Sequence, residues 1–124
     1  SVELGERMQQ LLFERVVIEA SVGQVFGVLA GEFCLVTRGS SRVALARQVA
    51  MYLIHVACGR SFTDAGRAFA RDRTTVAHAC GVIEDLRDDA RFDRVLELLE
   101  SIVRFRLGAK ATADAGNGEM RRAG

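Results

Sequence analysis

The chain has 124 residues and a mass of 13.5 kDa, which is the size of a single domain. An apolar fraction of 49% is enough for a buried core, and the absence of proline permits long helices. No apolar run reaches the ~18 residues of a transmembrane helix, and the first ten residues lack the basic start of a signal peptide, so we expect no membrane partner. Cys34, Cys58 and Cys80 are odd in number and far apart, which is typical of reduced thiols and predicts a cytoplasmic protein.

The net charge of +1 conceals an uneven distribution along the chain. Residues 38–78 contain seven arginines and two aspartates, a local charge of +5, whereas residues 1–37 carry −3 and residues 79–107 carry −2. A basic centre between acidic flanks is typical of a local anion-binding surface. A solvated, arginine-rich surface explains the same pattern, and charge alone leaves both interpretations open.

Apolar residues recur at helical spacing near the N-terminus and predict an amphipathic helix over residues 3–19. Its apolar stripe consists of Leu4, Met8, Leu11, Leu12 and Val16. The stripe either folds onto the domain core or forms a surface for a partner or a second copy. Ser21, with Gln24 three residues later, has the pattern of a capping box and predicts a separate short helix over residues 22–27.

Residues 43–58 form the most apolar stretch and predict the central core helix. Arg47 and Gln48 fall together on the face opposite to its apolar stripe. Gly59 follows the last apolar residues and is expected to end the helix in the C′ position. The preceding segment TRGSSR has the composition of a loop.

Two further helices are expected after the central one, joined by the four residues ARDR. Ser61 and Asp64 predict the start of the first, SFTDAGRAFA, and the second begins at TTVAHAC. Two helices joined by a tight turn form a helix-turn-helix arrangement, which needs a small residue where the helices cross. Gly66 is placed to be that residue.

A last helix is predicted over residues 92–107, followed by a polar, glycine-bearing tail that we expect to be disordered. The sequence therefore predicts an all-α helical bundle that contains a helix-turn-helix. Its parts are an N-terminal amphipathic helix (1–20), a helix-turn-helix domain (21–107) and the tail (108–124).

The segment RDRTTVAHAC, residues 71–80, concentrates hydrogen-bonding side chains at the start of one helix. His78 and Cys80 are two residues apart and point away from each other on a helix, so no metal site is predicted. The acids of EDLRDD have no partnered base, and we expect neither catalysis nor a cofactor or small-molecule substrate. Asp72 has the position of an N-cap, which contributes about 1 kcal/mol. Capping does not exclude that it accepts a hydrogen bond from a cytosine amino group or holds Arg73 in place.

Several blocks of the sequence, ARQVAMYL, GRAF, RDRTTVAHAC and VIEDL, resemble the C-terminal DNA-binding domain of the bacterial replication initiator DnaA. The blocks occur in order within residues 22–105. The resemblance implies a helix-turn-helix of the Trp-repressor-like type that reads duplex DNA in the major groove. The initiator's phosphate loop, GxxxxGK[ST], does not occur, so the resemblance is to a free-standing relative without the ATPase domain.

The resemblance also implies which residues contact DNA. It places base-edge contacts at Asp72, Arg73, Thr74 and Thr75. It places phosphate contacts at Arg47, Gln48 and His78, and a minor-groove contact at Arg38. Thr63 and Arg71 complete the expected set. The family's signature histidine is Arg73 in this chain, and a basic position late in the recognition helix is Val82.

Two functional hypotheses follow from these observations. The first is sequence-specific binding of double-stranded DNA in the control of chromosome replication initiation or transcription, with the protein associated with the nucleoid. The alternative is a protein-interaction regulator that mimics the initiator's DNA-binding domain and competes for its partners in the initiation machinery.

Overall fold

The computed structural model describes residues 2–34 and 40–114 of the chain. Within these ranges the secondary structure is entirely helical, which confirms the predicted all-α class. The elements are α1 (Val2–Phe26), a short 3₁₀ helix (Ala30–Cys34), α2 (Ser41–Val56), α3 (Phe62–Phe69), α4 (Arg73–Leu86) and α5 (Ala90–Asp114). None of the helices described is both long enough and apolar enough to cross a bilayer.

Helix α2 lies at the centre of the bundle and packs against α1, α3 and α4, as its apolar sequence predicts. Its buried residues include Val43, Ala46, Val49, Ala50, Leu53 and Ile54. The Ser40 hydroxyl caps the start of α2 by accepting a hydrogen bond from the Val43 N–H at 3.3 Å. Beyond its end, Gly59 adopts a φ of 68°, a left-handed conformation that favours glycine.

Helix α1 is continuous, and the predicted separate helix over residues 22–27 is wrong. Ser21 does not cap a helix, because it is buried inside α1 and its hydroxyl donates to the Val17 carbonyl at 2.8 Å. The chain turns only at Gly27, whose φ is 67°. The boundary that we predicted between residues 20 and 21 therefore falls within one helix.

The orientation of α1 bears on the two alternatives that the sequence left open for its apolar stripe. Of the five residues in the predicted apolar stripe only Leu11 is buried. The other four are exposed, with relative accessibilities of 64%, 38%, 44% and 63% for Leu4, Met8, Leu12 and Val16. Of the two alternatives that the sequence left open, folding of the stripe onto the core therefore applies to Leu11 and not to these four.

Ion pairs between distant parts of the chain orient α1. Glu14 is buried and accepts two hydrogen bonds from the Arg60 guanidinium, each at 2.8 Å. Arg7 pairs with Asp64 of α3, and Arg15 donates to the Ala68 carbonyl at 2.9 Å. These contacts satisfy the buried carboxylate on the side of α1 that also buries Leu11, Ile18 and Val22 in the core.

The joint between α3 and α4 depends on close approach of the backbone. Ser61 caps α3 by accepting from the Asp64 N–H at 3.1 Å, as predicted. The helix ends at Ala70, whose φ of 54° lies in the left-handed region. There the Arg71 N–H donates to the Gly66 carbonyl at 2.9 Å. A Cβ atom on Gly66 would lie 2.5 Å from the Arg71 carbonyl oxygen, which confirms that this position needs glycine.

The C-terminus of α4 is tied to its neighbours by a polar cluster around Arg87. The Arg87 guanidinium donates to Asp93 at 2.6 Å, to Glu100 at 2.7 Å and to the Tyr52 hydroxyl at 2.9 Å. Burial, together with a hydrogen bond that the hydroxyl donates to Glu84, raises the pKa of Tyr52 to about 12. The cluster joins α2, α4 and α5 and so fixes the C-terminal end of α4.

Helix α5 packs against α1 and ends at Asp114, beyond the end predicted at residue 107. The expectation of a disordered tail from residue 108 is therefore wrong for residues 108–114. For residues 115–124, which lie outside the described ranges, it stays a prediction.

We predict that Gly66→Ala lowers the free energy of unfolding by about 2 kcal/mol, because the new methyl group meets the rigid Arg71 backbone. Gly81 in α4 is the matched control, since nothing lies within 4 Å of a Cβ atom there. Gly81→Ala should raise the free energy of unfolding by about 0.8 kcal/mol through helix propensity. Urea denaturation measures both, and stabilisation by Gly66→Ala would contradict the proposed constraint.

Candidate nucleic-acid interface

The polar residues at the start of α4 face solvent. Asp72, Arg73, Thr74, Thr75 and His78 are all exposed. The opposite side of α4 carries its buried residues, Val76, Ala79, Cys80 and Ile83. This arrangement follows from helical periodicity, because residues three and four apart share a face. The tip of α4 therefore presents donors and acceptors to the outside, as we predicted.

Asp72 occupies the N-cap position of α4, but its side chain makes no capping hydrogen bond. Its carboxylate therefore stays available to a donor outside the helix, such as the amino group of a base. In contrast, the Ser61 side chain does cap α3. Asp72 is therefore exposed at the start of α4 and does not cap the helix through its side chain.

A cavity of about 170 Å³ lies between α2 and the start of α4. Five of the predicted contact residues line it together, namely Arg47, Gln48, Arg71, Thr75 and His78. The remaining lining residues are Ala44, Met51 and Ala79. Side chains from two separate helices thus share one concave surface, as expected of a site that follows a phosphate backbone.

The cavity is electropositive. Burial, and secondarily the nearby positive charge of Arg71, lower the pKa of Arg47. Two guanidinium groups held close enough to repel each other favour an anion between or beside them. The free N–H groups at the N-terminus of α4 add to the same field.

The arginines of the basic segment have two different roles. Arg60 neutralises the buried carboxylate of Glu14, whereas the exposed Arg67 pairs at the surface with Asp64, which also pairs with Arg7. Within the described ranges, the side chains of Arg71 and Arg73 form no ion pair. The basic segment, for which we left two interpretations open, thus contains both arginines that pair with acids of the fold and arginines presented at the tip of α4.

Four of the predicted residues that the structure describes do not line this cavity, namely Thr63, Asp72, Arg73 and Thr74. Thr63 is exposed on α3 but does not line it. Arg38 lies outside the described ranges. Sequence reasoning missed Ala44 and Met51, although Ala44, Arg47, Gln48 and Met51 recur at spacings of three, four and seven residues and therefore share one helix face.

His78 and Cys80 lie on opposite sides of α4, the first exposed and the second buried. Burial raises the pKa of the Cys80 thiol to about 11, so it is protonated and unreactive at neutral pH. Among the described residues, no group of three His, Cys, Asp or Glu side chains is placed to hold a metal ion.

Comparison with known proteins agrees with this geometry. A family model described as the bacterial DnaA protein helix-turn-helix matches residues 17–83, more than half of the chain. The chain belongs to the DnaA helix-turn-helix family. Within the match lie α2, α3 and most of α4, whereas α5 lies outside it.

Individual DnaA proteins show the same similarity. The chromosomal replication initiator DnaA of Bartonella quintana is 45% identical over 71 residues, 56% of this chain and 14% of its own length. The DnaA 1 protein of Protochlamydia amoebophila is 38% identical over 87 residues, 65% of this chain and 18% of its own length. The chain thus spans less than a fifth of these two initiators.

Two solved structures of replication-initiation proteins have the same fold. A replication initiator DnaA bound to AMPPCP and single-stranded DNA superposes with a TM-score of 0.69 and 26% identity, covering 84% of this chain and 32% of that chain. A DNA replication initiation factor gives a TM-score of 0.71 and 28% identity, with 85% and 32% coverage. Because more than four fifths of this chain superposes, the similarity in fold extends beyond the residues of the family match.

We predict that Asp72→Ala costs at most about 0.5 kcal/mol of stability, because only the charge near the helix N-terminus is lost. Ser61→Ala, which removes an observed cap, should cost about 1 kcal/mol. Thermal or urea unfolding of both variants gives the comparison. A cost for Asp72→Ala equal to or above that for Ser61→Ala would mean that the carboxylate caps α4.

Proposed function

We propose that this protein binds double-stranded DNA in a sequence-dependent manner, with the start of α4 in the major groove, and that it acts in the control of chromosome replication initiation. The observation that carries the proposal is the cavity that gathers Arg47, Gln48, Arg71, Thr75 and His78 beside the outward-facing tip of α4. Membership of the DnaA helix-turn-helix family supports the same function. The proposal includes no catalytic step.

The two parts of the surface have different tasks in this proposal. Arg47, Gln48 and Arg71 bind phosphate groups and set the register of the protein on the duplex. Arg73 is suited to bidentate contact with the O6 and N7 atoms of guanine, and Asp72 to the amino group of cytosine. Thr74 and Thr75 offer a hydroxyl group and a methyl group to the base edges. Specificity therefore comes from the tip of α4, and most of the affinity comes from the phosphate contacts of Arg47, Gln48 and Arg71.

A role in transcription uses the same surface, and the choice between the two roles depends on where the preferred site lies in the genome. One solved DnaA relative carries single-stranded DNA, whereas the present proposal concerns the duplex, because a helix that presents base-reading side chains matches the major groove. Single-stranded oligonucleotides are therefore a necessary comparison in any binding experiment.

We predict that Arg47→Ala and Arg71→Ala each weaken duplex binding and flatten the dependence of log K on log salt concentration by about 0.9. Arg73→Ala should instead reduce the preference for an initiator-type site over a scrambled one by about 1–3 kcal/mol. Fluorescence anisotropy at several salt concentrations, with duplex and single-stranded probes, measures both quantities. Arg94 is exposed on α5, and Arg94→Ala is the matched control that should change neither.

Absence of duplex binding by the folded protein at low salt would contradict the proposal. A loss of duplex binding for Arg94→Ala equal to that for Arg47→Ala would also contradict it, because it would indicate non-specific attraction by the whole surface. Single-stranded DNA bound more tightly than the duplex would show that α4 does not read a groove.

A further inference from the structure

One row of residues on α4 points directly away from the core. The row consists of Thr74, His78, Gly81 and Asp85, all of which are exposed. At about 100° per residue, these four positions lie within about 60° of one another around the helix axis. The opposite side of the helix carries the buried residues, Val76, Ala79, Cys80 and Ile83. We call this exposed row the outer line of α4.

The carboxylate of Asp85, at the far end of the outer line, has no partner in residues 2–34 and 40–114. It takes part in none of the ion pairs of these ranges. The acids beside it differ in this respect. Glu84 accepts a hydrogen bond from the Tyr52 hydroxyl at 2.8 Å, and Asp89 accepts from two backbone N–H groups at the start of α5. The packing of the fold thus accounts for the neighbouring acids but not for Asp85.

The position of Asp85 is also unfavourable for the helix that contains it. Asp85 is the penultimate residue of α4, where the partial negative charge of the helix C-terminus repels a carboxylate. No residue in the last turn of α4 is basic, so this repulsion is not offset within the turn. The carboxylate therefore stabilises neither the helix nor its packing.

The two ends of the outer line have opposite electrostatic character. At the start of α4, Arg73 and the free backbone N–H groups attract phosphate. Asp85 lies about 16 Å beyond Thr74 along the helix axis. Between them, Gly81 places no side chain on the line, and nothing lies within 4 Å of a Cβ atom there. A duplex that followed the whole outer line would therefore meet a carboxylate that no cation neutralises.

This repulsion distinguishes two arrangements of α4 on a duplex. Insertion of the helix tip alone leaves Asp85 away from the phosphate groups. An arrangement with α4 lying lengthwise brings the carboxylate close to them, and two like charges about 4 Å apart in water weaken binding about fivefold. Specificity comes from penalties on the wrong arrangement as well as from contacts in the correct one.

We propose that Asp85 is a specificity-determining residue that acts by repulsion. It prevents α4 from lying lengthwise against the phosphate groups, so that binding depends on the base-reading residues at the helix tip. The inference rests on the proposed binding of duplex DNA and adds to it a residue that makes no attractive contact. Non-specific binding is penalised most, because it relies on phosphate attraction in whichever arrangement maximises it.

Asp85→Asn tests the inference, because it removes the charge and preserves the size of the side chain. At about 50 mM salt, the variant should bind a scrambled duplex about fivefold more tightly. It should bind an initiator-type duplex at most about twofold more tightly, so the preference between the two falls about two- to threefold. Fluorescence anisotropy with both probes measures this change. The change should be smaller at about 200 mM salt, where screening is stronger.

Glu3→Gln is the matched control, since it removes the same charge from an exposed position at the start of α1. It changes the net charge of the chain as much as Asp85→Asn does, and it should leave the preference between the two duplexes unchanged. Urea denaturation should show that Asp85→Asn does not lower the free energy of unfolding, because no contact of the carboxylate is lost.

The outcomes separate this inference from the proposed function. If the wild-type protein binds duplex DNA but Asp85→Asn and Glu3→Gln have equal effects on both probes, the inference is overturned and duplex binding stands. Weaker binding of the initiator-type duplex by Asp85→Asn would also overturn it, because the carboxylate would then accept a hydrogen bond from a base. A folded wild-type protein that binds no duplex would refute the proposed function, and the inference with it.

Discussion

The close approach of two backbone segments at Gly66 is the constraint on which the rest of the site depends. Because no side chain separates α3 from the Arg71 carbonyl, the chain closes α3 with a bond from Arg71 to Gly66 and enters α4 within a short turn. Ala70 accepts a left-handed conformation to make this turn, at a cost of about 1–2 kcal/mol. As a result, the side chains of Arg71 and Thr75 come to lie against α2.

The arginines of the basic segment, residues 38–78, serve two purposes: some pair within the fold, and others are presented at the surface. Arg60 is used inside the protein, where it neutralises Glu14 and orients α1. The arginines at positions 71 and 73 extend from the turn and the helix tip, and Arg71 adds its charge to that of Arg47. A net charge of +1 is therefore compatible with a local anion-binding surface, because the acids are concentrated elsewhere.

Local signals explain what could be predicted from the sequence. The cap at Ser61 and the glycines at positions 59 and 66 act within a few residues, so the helix-turn-helix was predictable. The orientation of α1 was not, because the Glu14–Arg60 pair joins residues 46 positions apart. Ser21 and Gln24 have the spacing of a capping box, but the Ser21 hydroxyl donates to the Val17 carbonyl within α1. The cavity could not be predicted, because it depends on the packing of α2 against α4. Helical spacing alone places Met51 beside Arg47 on α2.

If the polar tip of α4 and the adjacent cavity form the surface that contacts DNA, a duplex should perturb these residues first. Titration of the isotopically labelled protein with a duplex, followed by NMR of backbone and arginine side-chain signals, measures this. We expect the largest chemical-shift changes at residues 71–78, with a second group at Arg47 and Gln48. Shifts confined to α1 or α5, or spread evenly over all exposed arginines, would contradict it.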